Sequence, residues 1–252
     1  MARIKRKREL IVNSMGHYYL ENLEQDLITM SSDESKHLTK VLRKKLGDQL
    51  IFTDGKGTIA KAEIIEISRH ECRVQIIERE YNIGKRDFQL EIAVAPTKNS
   101  DRIEWMVEKA VEIGVEKITF IICERSERKH VEIGRMERIA IAALKQSSGT
   151  YLPEIKMVSF KEFLNSLNPS NINEIRLIAW CENFENTPHI KQFSLDYQKI
   201  TLLIGPEGDF THLEVEKAKK NQFQEVKLGN KILRTETAAV YGCSAISVLK
   251  NI

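Results

Sequence analysis

Near residue 86 the sequence changes its period, and this change most constrains what the chain can fold into. After it, short apolar runs alternate with stretches of helical spacing. "FQLEIAVA" reads as a strand and "PTKNSD" as a loop. Ile103, Met106, Val107, Ala110 and Ile113 then recur at helical intervals up to Gly114. "KITFIIC" is the next strand and "GRMERIAIAALKQ" the next helix. Further strands are expected at Glu154–Val158, Ile175–Trp180, Lys199–Ile204 and Glu225–Leu228. Strands alternating with helices predict an α/β fold, a mainly parallel sheet with helices on both faces.

Before the change the pattern is different. "HYYL" reads as a strand, and "QLIFTDGKGTIAKAEIIEIS" as a hairpin turning at Asp54-Gly55-Lys56-Gly57. In "ECRVQIIERE" apolar Val74 and Ile76 alternate with polar Arg73 and Gln75. One helix interrupts, with Ser31 and Glu34 as a capping box, and runs to about Lys45. Several short strands and one helix predict a small β-barrel module. The expected domains are a basic tail over 1–16, a barrel over 17–82 and an α/β domain over 87–252, with "NIGKR" as linker. The tail holds five of the cations (Arg3, Lys5, Arg6, Lys7, Arg8), and "MGHYYL" at Met15 reads as a second plausible beginning.

Composition excludes several classes. No apolar run approaches the roughly 20 residues needed to cross a bilayer. The four cysteines form no CxxC pair and the six histidines no HxxxH or HExxH, so no metal site, no disulfide framework and a cytoplasmic setting are expected. The net charge is only +3. Nucleic-acid binding therefore has to rest on local clusters such as Lys40, Arg43, Lys44 and Lys45. These four fit either a solvated helix end or a patch on RNA phosphates.

The most informative stretch is "LLIGPEGDF". The apolar run Leu202, Leu203, Ile204 stops at Gly205, and Pro206, Glu207, Gly208 and Asp209 lead to a helix capped by Thr211 with Glu214. Gly205–Gly208 fits a type I turn. A glycine loop between strand and helix usually holds phosphate, yet this one has no lysine. A second loop follows the strand "EVKLG": Asn230 to Thr237, then a helix capped near Thr235 whose faces are small (Ala238, Ala239, Gly242, Cys243, Ser244, Ala245). Ligands of open α/β sheets bind beyond the carboxyl ends of strands. Two such loops, rich in backbone groups and hydroxyls and poor in cations, suit a phosphate-free nucleoside such as S-adenosylmethionine. A plain turn and a tightly packed terminal helix are the bland alternatives.

"LLIGPEGDF" with "LGNKILRTETA" resembles the paired motifs of the RsmE family, the SPOUT-superfamily methyltransferases that act on a uridine N3 of 16S ribosomal RNA. "SDRIEWMVEKAVEIGV" and "ERSER" resemble two further segments of that family, and "HLTKVLRKKLGDQLIFTDGKG" its PUA-like N-terminal domain. The resemblance implies a SPOUT-type C-terminal trefoil knot that forms the cofactor pocket, a homodimer, S-adenosylmethionine as cofactor and small-subunit RNA as partner. By motif match the cofactor residues are Leu203, Ile204, Gly205, Pro206, Glu207, Gly208, Leu228, Gly229, Ile232, Leu233, Arg234, Thr237 and Ala238. The sequence departs from the family in two places. Asp209 stands where a third glycine is usual, and Leu144–Pro153 replaces a segment nearer "EQSGR", with Lys145 at the Glu position and the Arg absent.

Methylating uracil N3 requires loss of its proton, and negative charge then builds on the flanking carbonyl oxygens. A cation placed there lowers the barrier. Arg234 and Arg125 are the candidates, with Glu236 to orient an arginine or take the proton. Two rival classes are a non-catalytic RNA-binding protein, against which "ILRTETA" argues, and a phosphonucleotide enzyme, which would want GxGxxG or GxxxxGK[ST]; neither motif is present.

Overall fold

The computed structural model describes residues 17–68, 71–168, 171–182 and 185–250. The basic tail over 1–16 lies outside them. The chain divides into two compact units, residues 1–85 with 144–152, and residues 86–143 with 153–252.

In the first unit, strands β1 (His17–Tyr19), β2 (Leu27–Thr29), β3 (Gln49–Thr53), β4 (Ile59–Ile67) and β5 (Cys72–Glu80) form a five-stranded sheet in the order β1-β3-β4-β5-β2. It is the small β module that the sequence predicts, and among the described residues no ladder joins β1 to β2. Tyr18, Leu38, Leu50, Phe52, Ile64 and Val74 belong to its core. The expected hairpin is present. Asp54 Oδ1 accepts from the backbone N–H groups of Lys56 and Thr58, at 2.7 and 3.0 Å, and ties the turn. Gly57, at φ 96°, carries no Cβ because the Tyr151 ring fills that space.

The helix of this unit is shorter than its sequence predicts. Helix α1 (Ser32–Lys36) is capped by Ser31, whose Oγ accepts from Glu34 N–H, and it passes into a π-helical turn over His37–Val41. Arg43 then takes φ 52°, which no helix accommodates. Arg43, Lys44 and Lys45 therefore lie beyond the helix rather than in its last turn.

In the second unit, β6 (Gln89–Val94), β7 (Lys117–Ile122), β8 (Glu154–Ser159), β9 (Glu174–Ala179), β10 (Lys199–Ile204) and β11 (Phe223–Val226) form a six-stranded sheet, ordered β11-β9-β10-β6-β7-β8. Every pairing is parallel. Helices α2 (Ser100–Ile113), α3 (Ile133–Ser147), α4 (Phe160–Asn165), α5 (His212–Lys220) and α6 (Thr235–Leu249) connect and cover the strands. Short α4, absent from the sequence reading, starts at a Ser159–Glu162 capping box and buries Phe160, Phe163 and Leu164. The small face of α6 packs on its own sheet: Leu202 occupies the place a Gly242 side chain would take, and Leu228 lies beside it.

Near the amino ends of these strands lies a buried charge network. Glu174 accepts from Arg176 Nη2 at 2.7 Å and from Thr201 Oγ1 at 2.8 Å, and Lys199 Nζ lies 3.0 Å away. Lys199 also reaches Glu91, which accepts from Thr119. Burial pushes the Glu174 carboxyl up, but the bonds from Arg176, Lys199 and Thr201 outweigh it and hold it below its ordinary range. The resulting stability is present above the ordinary carboxylate pKa and is lost as pH falls through the lowered folded value. Arg176→Met removes one partner of a buried pair and is expected to cost about 3–5 kcal/mol in urea unfolding at neutral pH. The deficit should shrink as the pH falls into the acid range; a pH-independent deficit would contradict the assignment.

Candidate active site

Parallel register decides where the loops meet. Ile204 pairs with Val94 on one side and Ala179 on the other, and Ala179 pairs with Val226. Four strands therefore end in one row, and their carboxyl-end loops leave the sheet together.

Beyond this row lies a cavity of ≈ 560 Å³. Its walls are Ala179–Cys181 after β9, Ile204–Asp209 after β10, Val226–Gly229 with Lys231–Thr235 after β11, Ala238 of α6, and Arg102 of α2. Hydrogen bonds hold the first glycine loop from every side. Gly205 C=O accepts from Thr235 Oγ1 at 3.0 Å, joining the two motifs. Glu207 Oε1 accepts from Lys98 N–H at 2.9 Å, Gly208 C=O accepts from Arg125 Nη1 at 2.9 Å, and Asp209 Oδ2 accepts from Cys181 N–H at 3.1 Å.

The glycines make room for neighbours. A Cβ on Gly205 would lie 3.1 Å from the Phe210 ring, and one on Gly208 3.3 Å from Arg125 Cβ. The turn is closed by Asp209 N–H donating to Pro206 C=O at 2.9 Å, one residue later than the predicted Gly205–Gly208 turn. Gly205 C=O is already taken by Thr235. The left-handed residue is Asp209, at φ 58°, a conformation Asp tolerates better than most. Its Oδ1 accepts from Phe210 N–H at 2.8 Å. Burial raises the Asp209 carboxyl above its ordinary range, against the pull of the Phe210 and Cys181 donors.

Of the residues expected from sequence, Ile204, Gly205, Pro206, Glu207, Gly208, Leu228, Gly229, Ile232, Leu233, Arg234 and Ala238 line the cavity. Leu203 sits in the apolar core instead, and Thr237 is exposed on α6. Arg234 occupies the N-cap position of α6, predicted for Thr235. It is exposed, and its side chain has no protein partner among the described residues. Arg125 is not a wall residue; it supports Gly208 and Phe210 from behind. Glu236 is buried, 7% exposed, and is not a wall residue either. Sequence reasoning missed Arg102, Trp180 and Cys181. The last two follow a strand end just as Gly205 does, a signal available in "LIAWCE".

An RNA methyltransferase domain family matches residues 85–247, and an RNA methyltransferase PUA domain family matches 31–77. A Rickettsia conorii relative named ribosomal RNA small subunit methyltransferase E is 30% identical, over 90% of this chain and 91% of its own. The chain belongs to the RsmE family of RNA methyltransferases. A solved structure, a probable rRNA-methyltransferase from Porphyromonas gingivalis, superposes with a TM-score of 0.87 at 38% identity, covering 94% of this chain and 99% of that one. The RsmE of Neisseria gonorrhoeae, solved bound to S-adenosylmethionine, shares the fold: TM-score 0.82, 24% identity, 93% and 98% covered.

Position 209 separates two roles, the left-handed backbone and the side-chain bonds. Asp209→Gly keeps the left-handed backbone and loses the bonds to Cys181 and Phe210, whereas Asp209→Val forces a β-branched residue into that conformation. Valine is expected to be the less stable of the two by about 2 kcal/mol in chemical unfolding. Equal stabilities would show that the conformation at 209 costs a side chain nothing.

Proposed function

We propose that the protein methylates N3 of a uridine in 16S ribosomal RNA, with S-adenosylmethionine as donor. The cavity carries the reading. At ≈ 560 Å³ it is nucleoside-sized, and it is built from strand-end backbone with apolar side chains such as Ile204, Val226 and Leu228. Family membership and the names of the relatives support the RNA substrate.

The cofactor supplies a methyl group on a sulfonium and departs as S-adenosylhomocysteine. The loops Ile204–Gly208, Leu228–Gly229 and Ile232–Thr235, with Ala238, hold it, through backbone groups for the adenine edge and apolar side chains for its faces. Their hydrogen-bonded frame fixes the alignment with N3, and alignment supplies much of the rate. Unpaired Arg234 faces the cavity and neutralises charge on the uracil as the N3 proton leaves. Arg125 contributes by keeping Gly208 in place.

RNA is held by Lys40, Arg43, Lys44 and Lys45 in the first unit. No ion pair among the described residues occupies these side chains, and exposed Val41, Leu42 and Leu46 lie beside them in sequence. Unpaired cations with apolar neighbours suit phosphates and bases together. The enzyme acts in the cytoplasm, consistent with its four free cysteines.

The test is labelled cofactor with 30S particles, free 16S RNA or 50S particles, followed by digestion to nucleosides. Label in 3-methyluridine of the small-subunit RNA is the expected result; label in a ribose 2′-O-methyl or another base refutes the target. With Arg43, Lys44 and Lys45 replaced by Ala, RNA binding should weaken and its salt slope flatten by up to ~3, with cofactor affinity unchanged.

The working form is a homodimer. Trp105 on α2 and Tyr241, Val248 and Leu249 on α6 are exposed although α2 and α6 pack together, an apolar surface fit for a second copy. Sedimentation should give twice the 29.1 kDa chain mass, and a monomer at micromolar concentration contradicts it.

A further inference from the structure

Arg102 enters the cavity from the first turn of α2, a wall that neither glycine-loop motif supplies. Its Nε lies 3.8 Å from Glu236 Oε1. The Glu236 side chain is only 8% exposed, the Arg102 side chain 39%. Among the described residues, Glu236 Oε2 has no hydrogen-bond partner. A buried carboxylate with a single distant cation and an orphaned oxygen is costly to maintain, so as a device for stability alone it is poor. Its geometry makes sense as a support: Glu236 sits behind the wall and Arg102 forms part of it.

We propose that Arg102 is a second catalytic cation that faces the uracil, beside Arg234, and that Glu236 is its positioning residue rather than the acceptor of the N3 proton. This rests on the methyltransferase reading above. Glu236 is buried and does not line the cavity, so it is set back from a base bound there. Loss of the proton leaves one negative charge spread over O2, N3 and O4 in a plane. A guanidinium donating to one flanking carbonyl, O2 or O4, stabilises that charge and leaves N3 open to the methyl, and Arg102 keeps its Nη groups available while Nε faces Glu236. The balance of charge points the same way. The cofactor brings a positive sulfonium into a cavity whose walls already carry more cations (Arg102, Lys227, Lys231, Arg234) than carboxylates (Glu207, Asp209). The fixed negative charge of Glu236 beside Arg102 offsets that repulsion in the resting complex, and Arg102 remains preorganised for the anion that forms only during transfer. In the step, the N3–H electron pair stays on the base, the proton passes to solvent, the N3–CH₃ bond forms and the S–CH₃ bond breaks.

The experiment compares Arg102→Met, Arg102→Lys and Glu236→Gln with the wild type. Turnover on RNA, affinity for S-adenosylhomocysteine and for 5′-methylthioadenosine, and thermal unfolding are measured for each. Arg102→Met should lower kcat about a hundredfold or more, move the rising limb of the pH–rate profile to higher pH, and leave both affinities unchanged. Arg102→Lys keeps charge without the fork and should fall between, which covers the case in which the methionine variant does not fold. Glu236→Gln should lower kcat with less effect on folding than on rate. Unchanged turnover in the arginine variants overturns the proposal. So does a fall in affinity for S-adenosylhomocysteine but not for 5′-methylthioadenosine, since Arg102 would then hold the cofactor's carboxylate. A wild type that binds cofactor but labels no uridine N3 overturns instead the function on which the proposal rests.

Discussion

β10 is bonded along its whole length on both edges, six residues against β6 and six against β9. The site depends on this double pairing. It sets Val94, Ala179, Ile204 and Val226 level, so that loops distant in sequence emerge side by side. The strand is apolar because both its faces are covered: Ile200, Leu202 and Leu203 are fully buried. The run that ends at Gly205 is thus both the sheet's centre and the floor from which the cavity rises.

Above that floor, rigidity comes from bonds between loops. Thr235 to Gly205, Glu207 to Lys98, Arg125 to Gly208 and Asp209 to Cys181 each join segments separated by 28 residues or more. A loop frame of this kind is ordered before any ligand arrives, and preorganisation reduces what binding must spend on ordering. It also changes the reading of the acidic residues. Glu207 and Asp209 have backbone N–H partners, so they are parts of the frame.

The sequence made the alternation of strands and helices legible, because each period extends over enough residues to be read locally. Both motifs and most of their wall residues were legible too. What escaped were features set by partners elsewhere in the chain. The turn at Pro206–Asp209 shifts by one residue because Thr235 claims Gly205's carbonyl. The first helix ends early at a left-handed Arg43, where neither Gly nor Pro marks the stop. Arg102 lies about a hundred residues or more from either motif, and although its helix resembles a family segment, its spacing does not distinguish it from a solvent-facing arginine. The small face of α6 reads equally well as a surface for another chain, and only the position of Leu202 shows that the protein's own sheet uses it.

Residues 144–152 belong to the first unit, although the second unit's chain surrounds them in sequence. Gly57 N–H donates to Thr150 C=O, Leu152 N–H to Gly55 C=O, and Thr150 Oγ1 to Ile83 C=O, while Tyr151 and Leu152 fill the space above the two hairpin glycines. The hairpin's own turn is therefore left half-built by the first 85 residues. During synthesis, the amino-terminal unit waits for some 65 further residues to leave the ribosome before its last strand-like segment can dock, so this enzyme's leading unit does not mature in chain order.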